Sequence, residues 1–290
     1  MLTTIKTSEG EFTAEIAGPP TGDPVLLLHG FPQSRHSWRD QVPALGAAGY
    51  RAVAYDQRGY SAGVRPDPAT NLVAYGIDRL IADVLDVAEA VTQNPRARFH
   101  LVGHDWGGQV AWGTAASHPD RIASLTVLSR PHPTAFRRAF RDNADNQHYR
   151  SRHHQAFNDP ATVSRFLADD GRALKQRYAD NGVPASSIAE YLSVVGNPAA
   201  LEAAIAWYRA ARAVVNIEAA PVNVPTLYIW GDVDHTVGPT AARGTAEFVT
   251  AAFHFEVLPG IGHFVTDQAP DVVTRLLLQH LAAYPLRGKG

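Results

Sequence analysis

Cysteine is absent from all 290 residues. That removes thiolate nucleophiles, iron–sulfur ligation, disulfides and cysteine zinc sites, and it leaves histidine and carboxylate as the only metal ligands. No apolar run reaches the ~18 residues that a membrane-spanning helix needs, so no membrane association is expected. The opening MLTTIKTSEGEF has no apolar stretch of the kind a secretory signal carries, and a cytoplasmic location is the expectation. Charge of one sign is missing as well: 26 Lys and Arg stand against 28 Asp and Glu, for a net charge of −2. Such a chain has no global field to draw nucleic acid or an anionic membrane. The local exception, Arg137, Arg138, Arg141, Arg150 and Arg152, is read as a solvated helix face beside Asp142 and Asp145. What is present is ordinary globular material, 45% hydrophobic and 19% charged, too apolar for disorder. The length suggests one large domain or a core with an excursion, able to bury roughly three quarters of its surface without a disulfide or metal staple.

Short β-rich apolar runs alternate with longer amphipathic stretches through the first half, a pattern that forces parallel strands joined by helices. Strands are expected at Val25 to Leu28, Arg51 to Tyr55, Phe99 to Val102, Ser124 to Leu128, Thr226 to Trp230 and Phe253 to Leu258. Helical spacing covers Arg35 to Ala48, Leu72 to Val91, Trp106 to Ser117, Pro239 to Ala252 and Pro270 to Tyr284, several of them opened by Asp, Ser or Pro. Thr3 to Ala17 reads as an antiparallel ribbon at the sheet edge. The fold class is therefore α/β, a mostly parallel sheet covered on both faces. Strand signals vanish between about Pro131 and Pro221, where short helices are punctuated at Pro160, Gly171, Gly182-Val183-Pro184 and Gly196-Asn197-Pro198. Residues 1–130 and 222–290 are expected to form the core domain. Residues 131–221 are expected to form a helical cap over the carboxyl edge of the sheet, where α/β folds place ligands.

Gly103-His104-Asp105-Trp106-Gly107-Gly108 follows a buried strand and opens a helix. This is the spacing of a nucleophile elbow, in which small flanking residues permit a strained turn that exposes the central side chain. That central residue is Asp105. A serine needs a base to attack an acyl carbon, whereas a carboxylate of ordinary pKa near ~3.9 is already ionised at pH 7 and can displace a leaving group from an sp³ carbon. The product would be an alkyl ester of Asp105, to be hydrolysed by activated water. In elbow enzymes the chain order nucleophile, acid, histidine points to His263, in Gly260-Ile261-Gly262-His263-Phe264, and to Asp234, in Trp230-Gly231-Asp232-Val233-Asp234. Asp232 is the competing acid. The backbone amides of Phe31, in His29-Gly30-Phe31-Pro32, and of Trp106 are the candidates for an oxyanion hole.

Over essentially its whole length the chain resembles the α/β-hydrolase superfamily. His29-Gly30-Phe31-Pro32, Asp56-Gln57-Arg58-Gly59-Tyr60-Ser61 and Gly103-His104-Asp105-Trp106-Gly107-Gly108 are most similar to the epoxide hydrolases. The resemblance implies an α/β-hydrolase fold with an inserted helical cap, and opening of an epoxide to a vicinal diol through an ester on Asp105. It also implies two cap tyrosines that donate hydrogen bonds to the epoxide oxygen. Tyr208, in Ala206-Trp207-Tyr208-Arg209, takes one of these roles. The other position, in the helix from Tyr149 to Pro160, holds His153, a departure from the family pattern; histidine can donate a hydrogen bond or, if protonated, a proton. Tyr149 is the spare phenol in that segment. Phe31, Trp106, His153 and Tyr208 are the expected substrate contacts, His104 should pack beneath the elbow, and Asp56 and Arg58 should brace the loop beneath the oxyanion hole.

No cofactor and no metal are implied, and adjacent helical residues such as His153 and His154 point about 100° apart. The expected partner is a small-molecule substrate, an apolar epoxide. A dehalogenase acting on haloalkanes or haloacids would use the same nucleophile. Haloalkane enzymes, however, typically place Asn or Glu where Phe31 stands, and fluoroacetate enzymes place Arg where Trp106 and Gln109 stand. A ligand-binding protein that kept the fold without turnover is the third reading, opposed by the intact Asp105, Asp234 and His263.

Overall fold

The computed structural model describes residues 1–211 and 219–286. Eight strands form one sheet in the order β1-β2-β4-β3-β5-β6-β7-β8. They are β1 Leu2–Thr7, β2 Gly10–Ala17, β3 Pro24–Leu28, β4 Arg51–Tyr55, β5 Phe99–His104, β6 Ile122–Leu128, β7 Thr226–Gly231 and β8 Phe253–Leu258. The β1–β2 ribbon is antiparallel and joins β4 antiparallel, while every pairing from β4 through β8 is parallel. This is the mostly parallel α/β sheet expected from the alternation of apolar runs.

The central strands β5 and β6 are buried at every position, which is why they read as continuous apolar runs rather than as alternating ones. Helix Ile77–Thr92 turns Leu80, Val84, Val87 and Ala88 inward, and Trp106–Ser117 packs Val110, Ala111, Trp112 and Ala115 against the sheet. Three expected helices are shorter than their apolar periodicity suggests. Arg35 to Ala48 divides into a 3-10 turn, Arg35–Trp38, and a helix, Gln41–Ala47, with Asp56 holding the Arg35 amide and guanidinium. The helix expected from Leu72 starts at Ile77, since Gly76 is extended, with ψ 152°. The one opened by Pro239 ends at Gly244, and Val249 then bridges to Val222.

Between β6 and β7 the described residues are helical: Pro133–Arg141, Gln147–Arg150, His153–Ala156, Thr162–Asp180, Ala185–Val195 and Pro198–Ala211. Of the expected cap range 131–221, residues 212–218 lie outside the described residues. Four breaks fall at the predicted punctuation, at Pro160, Gly171, 182–184 and 196–198, while those between Arg141 and Gln147 and between Arg150 and His153 carry no such signal. Gly171 has φ 73° and sits in a non-helical step from Ala168 to Gly171 inside Thr162–Asp180. The segment meets the core at loops that follow strand carboxyl ends. Tyr178 donates to the Pro32 carbonyl at 2.6 Å, Trp207 Nε1 to that of Arg58 at 3.1 Å, and Gln147 Nε2 to that of Thr236 at 2.7 Å. Among the described residues no helix is long and apolar enough to cross a membrane.

Candidate active site

Asp105 is set between β5 and helix Trp106–Ser117 with φ 49° and ψ −116°, a conformation rarely held by a residue with a side chain. Its neighbours make the turn sterically possible: a Cβ on Gly107 would collide with the Leu28 carbonyl oxygen, and one on Gly30 with the Asp105 side chain itself. The Phe31 amide donates to Asp105 Oδ1 at 2.9 Å. Trp106 opens the helix, where the first N–H groups have no partner within the helix.

His263 approaches from the loop after β8. Its Nε2 lies 3.5 Å from Asp105 Oδ2, and its Nδ1 lies 3.0 Å from Asp234 Oδ2. Of the two acids on the loop after β7, Asp234 therefore reaches His263, whereas Asp232 accepts from the Gly260 amide at 2.7 Å and is exposed. Thr236 completes this corner: its hydroxyl donates to Asp234 Oδ1 at 2.8 Å and lies 2.8 Å from His263 Nδ1, and its amide donates to the same carboxylate at 2.7 Å. His104 packs under the elbow and donates through Nε2 to the His263 carbonyl at 2.8 Å, which Ser129 Oγ also reaches at 3.0 Å.

These groups perturb one another. Burial by itself would raise the Asp105 carboxyl, but the adjacent His263 and the Phe31 amide hold it well below the usual carboxylate range. Burial would likewise lower His263; the charge of Asp234 and the contact with Asp105 outweigh it and push the imidazole up to about 10. Burial, helped by the Asp105 charge, keeps the Tyr208 phenol well above its usual value. At neutral pH the corner thus holds two carboxylates, one imidazolium and a protonated phenol.

Tyr208 stands on helix Pro198–Ala211, its ring 5.0 Å from Trp106, 5.3 Å from Phe31 and 4.7 Å from Phe157. A narrow cavity, with about 30 Å³ of space open to a water molecule, is bordered by Phe31, Asp105, His153, Tyr208 and His263. His153 is therefore brought to the site. Burial, then His154 and Arg177, lower its imidazole to about 2, so it is neutral and can offer an N–H but not a proton in acid form. Its ring meets that of His154 edge-on at 4.5 Å. Tyr149 is turned away: it is 59% exposed and stacked under Arg152 at 3.8 Å.

The expected bracing role divides. Asp56 binds Arg35 on the segment that follows Phe31 and Pro32, while Gln57 Nε2 donates to the His29 carbonyl at 2.7 Å. Arg58 points elsewhere, pairing with Asp83 at 2.6 Å and Glu9 at 2.9 Å. The arginine cluster is also only partly a solvated face. Arg138 pairs with Glu247 and Arg141 with Asp142 at the surface, but Arg150 Nη1 donates to the backbone carbonyl of Asp234 at 2.6 Å. Sequence reasoning missed Arg150, Gln147, Thr236 and Arg177, which also borders the cavity. Only Thr236 had a local cue: it lies two residues past an Asp, where hydroxyl and amide commonly fold back onto the carboxylate.

Comparison with known proteins places these features in company. The family profile of the alpha/beta hydrolase fold matches residues 23–270. "Epoxide hydrolase A" of Mycobacterium tuberculosis is 30% identical, over 93% of this chain and 94% of that one. "Epoxide hydrolase 4" of Mus musculus is also 30% identical, over 90% of this chain and 74% of its own length. Among solved structures, one described as a novel epoxide hydrolase of the alpha/beta hydrolases superfamily, from metagenomes of hot environments, aligns with a TM-score of 0.82 and 26% identity, covering 97% of this chain and 98% of the other.

Proposed function

The chain belongs to the α/β-hydrolase fold family and is an epoxide hydrolase-like hydrolase, and from that premise we propose that it opens a small epoxide to a vicinal diol in two covalent steps, with residues 131–221 serving as the cap domain. In the first step the Asp105 carboxylate attacks an oxirane carbon and the carbon–oxygen bond breaks. Tyr208, and His153 through its N–H, donate hydrogen bonds to the oxygen as negative charge develops. The proton that the alkoxide gains comes from the His263 imidazolium. Both the loss of that proton and the loss of the Asp105 charge leave His263 a neutral base beside Asp234.

In the second step His263 takes a proton from water, whose oxygen attacks the ester carbonyl. The tetrahedral oxyanion sits where Phe31 N–H now meets Asp105 Oδ1, with the Trp106 amide as second donor. Collapse releases the diol and restores Asp105 as carboxylate and His263 as imidazolium, so the net reaction is epoxide plus water and no proton is exchanged with solvent. The single observation that carries this reading is a partly buried Asp105 at a strained elbow, with His263 3.5 Å behind its Oδ2 and Asp234 3.0 Å behind the imidazole. A general-base role for Asp105 would have no use for the second base.

The test is stalling at the ester. His263→Ala incubated with a panel of epoxides should gain the mass of one substrate molecule on the peptide that contains Asp105. In wild type, one turnover in ¹⁸O water should label the Asp105 carboxylate. Label in the diol alone after one turnover would mean direct attack by water. Free halide released from a parallel haloalkane panel, with no diol from the epoxides, would turn the reading to dehalogenation by the same nucleophile.

A further inference from the structure

Helix Thr162–Asp180 carries four cations. Three are paired on its outer side: Arg165 with Asp159, Arg172 with Asp169 and Lys175 with Asp170. The fourth, Arg177, is half-buried and borders the cavity that holds Asp105, His153, Tyr208 and His263. Among the described residues its guanidinium has neither a carboxylate nor a hydrogen-bond acceptor as partner. One turn on, Asn181 donates from its side-chain amide to the Arg177 carbonyl at 2.7 Å and also borders the cavity, so the helix end that presents Arg177 is fixed rather than frayed. An unpaired guanidinium facing an enclosed site is costly to keep, since its five donors lose water without gaining acceptors.

We propose that Arg177 is the anchor for a carboxylate on the substrate, so that the preferred substrates are short oxirane carboxylic acids rather than neutral epoxides. This rests on the epoxide-opening function above. Charge bookkeeping points the same way. Asp105 and Asp234 are met by the His263 imidazolium and by the charge of Arg130, which acts on Asp105, so an added anionic substrate needs one further cation that faces the cavity. The elbow supplies none, since Trp106 and Gln109 occupy the positions next to and four beyond Asp105. The nearby Arg130 is committed to Gln109 Oε1, at 3.0 and 2.7 Å, and to the face of Phe136 at 4.4 Å. Arg177, arriving from the cap side, is thus the cation open to a ligand. Its field already reaches the site, where it helps to keep His153 neutral. A guanidinium binds carboxylate through two parallel N–H bonds, which would hold the oxirane at a fixed distance from the anchor and offer one of its carbons to Asp105. The narrowness of the cavity favours short chains.

The experiment compares glycidate and its one- and two-carbon-longer homologues with the matching primary amides, which have the same shape without the charge. Wild type should prefer at least one acid over its amide in kcat/KM. Arg177→Met should lower that acid-to-amide ratio at least about tenfold, the scale of a lost charge-assisted bond, and Arg177→Lys should restore part of it. In parallel, calorimetry reads the binding of the product acids, glycerate and its homologues, against their amides, with the same Arg177-dependent preference expected. An acid-to-amide ratio in both measurements that Arg177→Met leaves unchanged overturns the anchor, while turnover of the amides would leave epoxide opening standing. Arg177-dependent binding of the diol acids without turnover of any oxirane would uphold the anchor and overturn the epoxide reaction instead.

Discussion

Tyr208 presents a phenol that burial and the Asp105 charge hold far from ionisation, so it can lend a hydrogen bond to a developing alkoxide without surrendering the proton for good. Tyr208→Phe keeps the ring that packs on Trp106, Phe31 and Phe157 and removes only the donor. The rate of alkylation of Asp105 should therefore fall by about 10²-fold, the lower range for lost acid assistance, in a rapid-quench measurement; an unchanged rate would reduce Tyr208 to packing. His263 yields a pH prediction. Its folded pKa is raised from 6.5 to about 10, so the charge cluster stabilises the protein fully below about pH 6.5, where the imidazole is protonated folded or unfolded. The contribution is lost as pH rises through about 10. The Tm difference between wild type and His263→Gln should be largest near pH 6 and shrink steadily toward pH 10.5; a difference that grew with pH would show that the imidazole is neutral in the fold. Asp105, His263, Asp234 and the Phe31 amide were all legible in the sequence, because each lies a fixed step past a strand end and the chain order is constrained. Arg177 was not, because nothing in its own helix distinguishes it from Arg172 or Lys175 until the helix is docked.

The turn Gln147–Arg150 reaches across to hold the loop that carries Asp234. Gln147 donates to the Thr236 carbonyl and accepts from the Gly238 amide at 3.0 Å, and Arg150 holds the Asp234 carbonyl. Gln147→Leu removes these two bonds and a third, from its amide to Ser151 Oγ at 3.0 Å, and leaves the Gly238 donor and the Thr236 acceptor without partners, at ~1–3 kcal/mol for each stranded group. We expect a loss of about 2 kcal/mol or more in urea unfolding. The kinetic effect should be unequal, because Asp234 orients His263: hydrolysis of the ester should slow while its formation is nearly spared. Equal slowing of both steps would mean that this turn supports the whole site and not the acid loop. At this scale the strands were readable as apolar runs, and the helix breaks from Pro160 onward as glycine and proline, but not those after Arg141 and Arg150. Helix lengths were not, because breaks such as the extended Gly76 are decisions of tertiary structure that periodicity does not contain.

The inserted segment and the sheet are sewn together by polar bonds that cross from one to the other at several distant places. The densest knot is the buried side chain of Asp267, which accepts from Tyr191 at 2.8 Å, Gln33 at 2.8 Å and Arg39 at 3.0 Å, while Arg39 also pairs with Glu190 at 2.7 Å. Tyr191 and Glu190 belong to the inserted helix Ala185–Val195, and the other partners belong to the core. Gln268 adds a bond to the Asn181 carbonyl and another to the Gly262 amide at 2.5 Å, joining the loop beside His263 to the segment that carries Arg177. The apolar packing is equally shared, since Leu174, Tyr178, Trp207 and Tyr208 of the insert fall in the same cluster as Leu28, Tyr60 and Val110 of the core. Separating the two would expose that surface and break the bonds from Tyr191 to Asp267 and from Arg39 to Glu190. The protein should therefore unfold as one unit although its insert is long: far-UV circular dichroism and tryptophan fluorescence, which reports Trp207 in the insert and Trp112 in the core together, should give coincident transitions in guanidinium. Asp267→Ala should uncouple them. In that variant the transition should broaden or divide, with helical signal from the insert lost first. A single sharp transition merely shifted to lower denaturant would show that the shared apolar cluster, and not the Asp267 knot, makes the two parts cooperative.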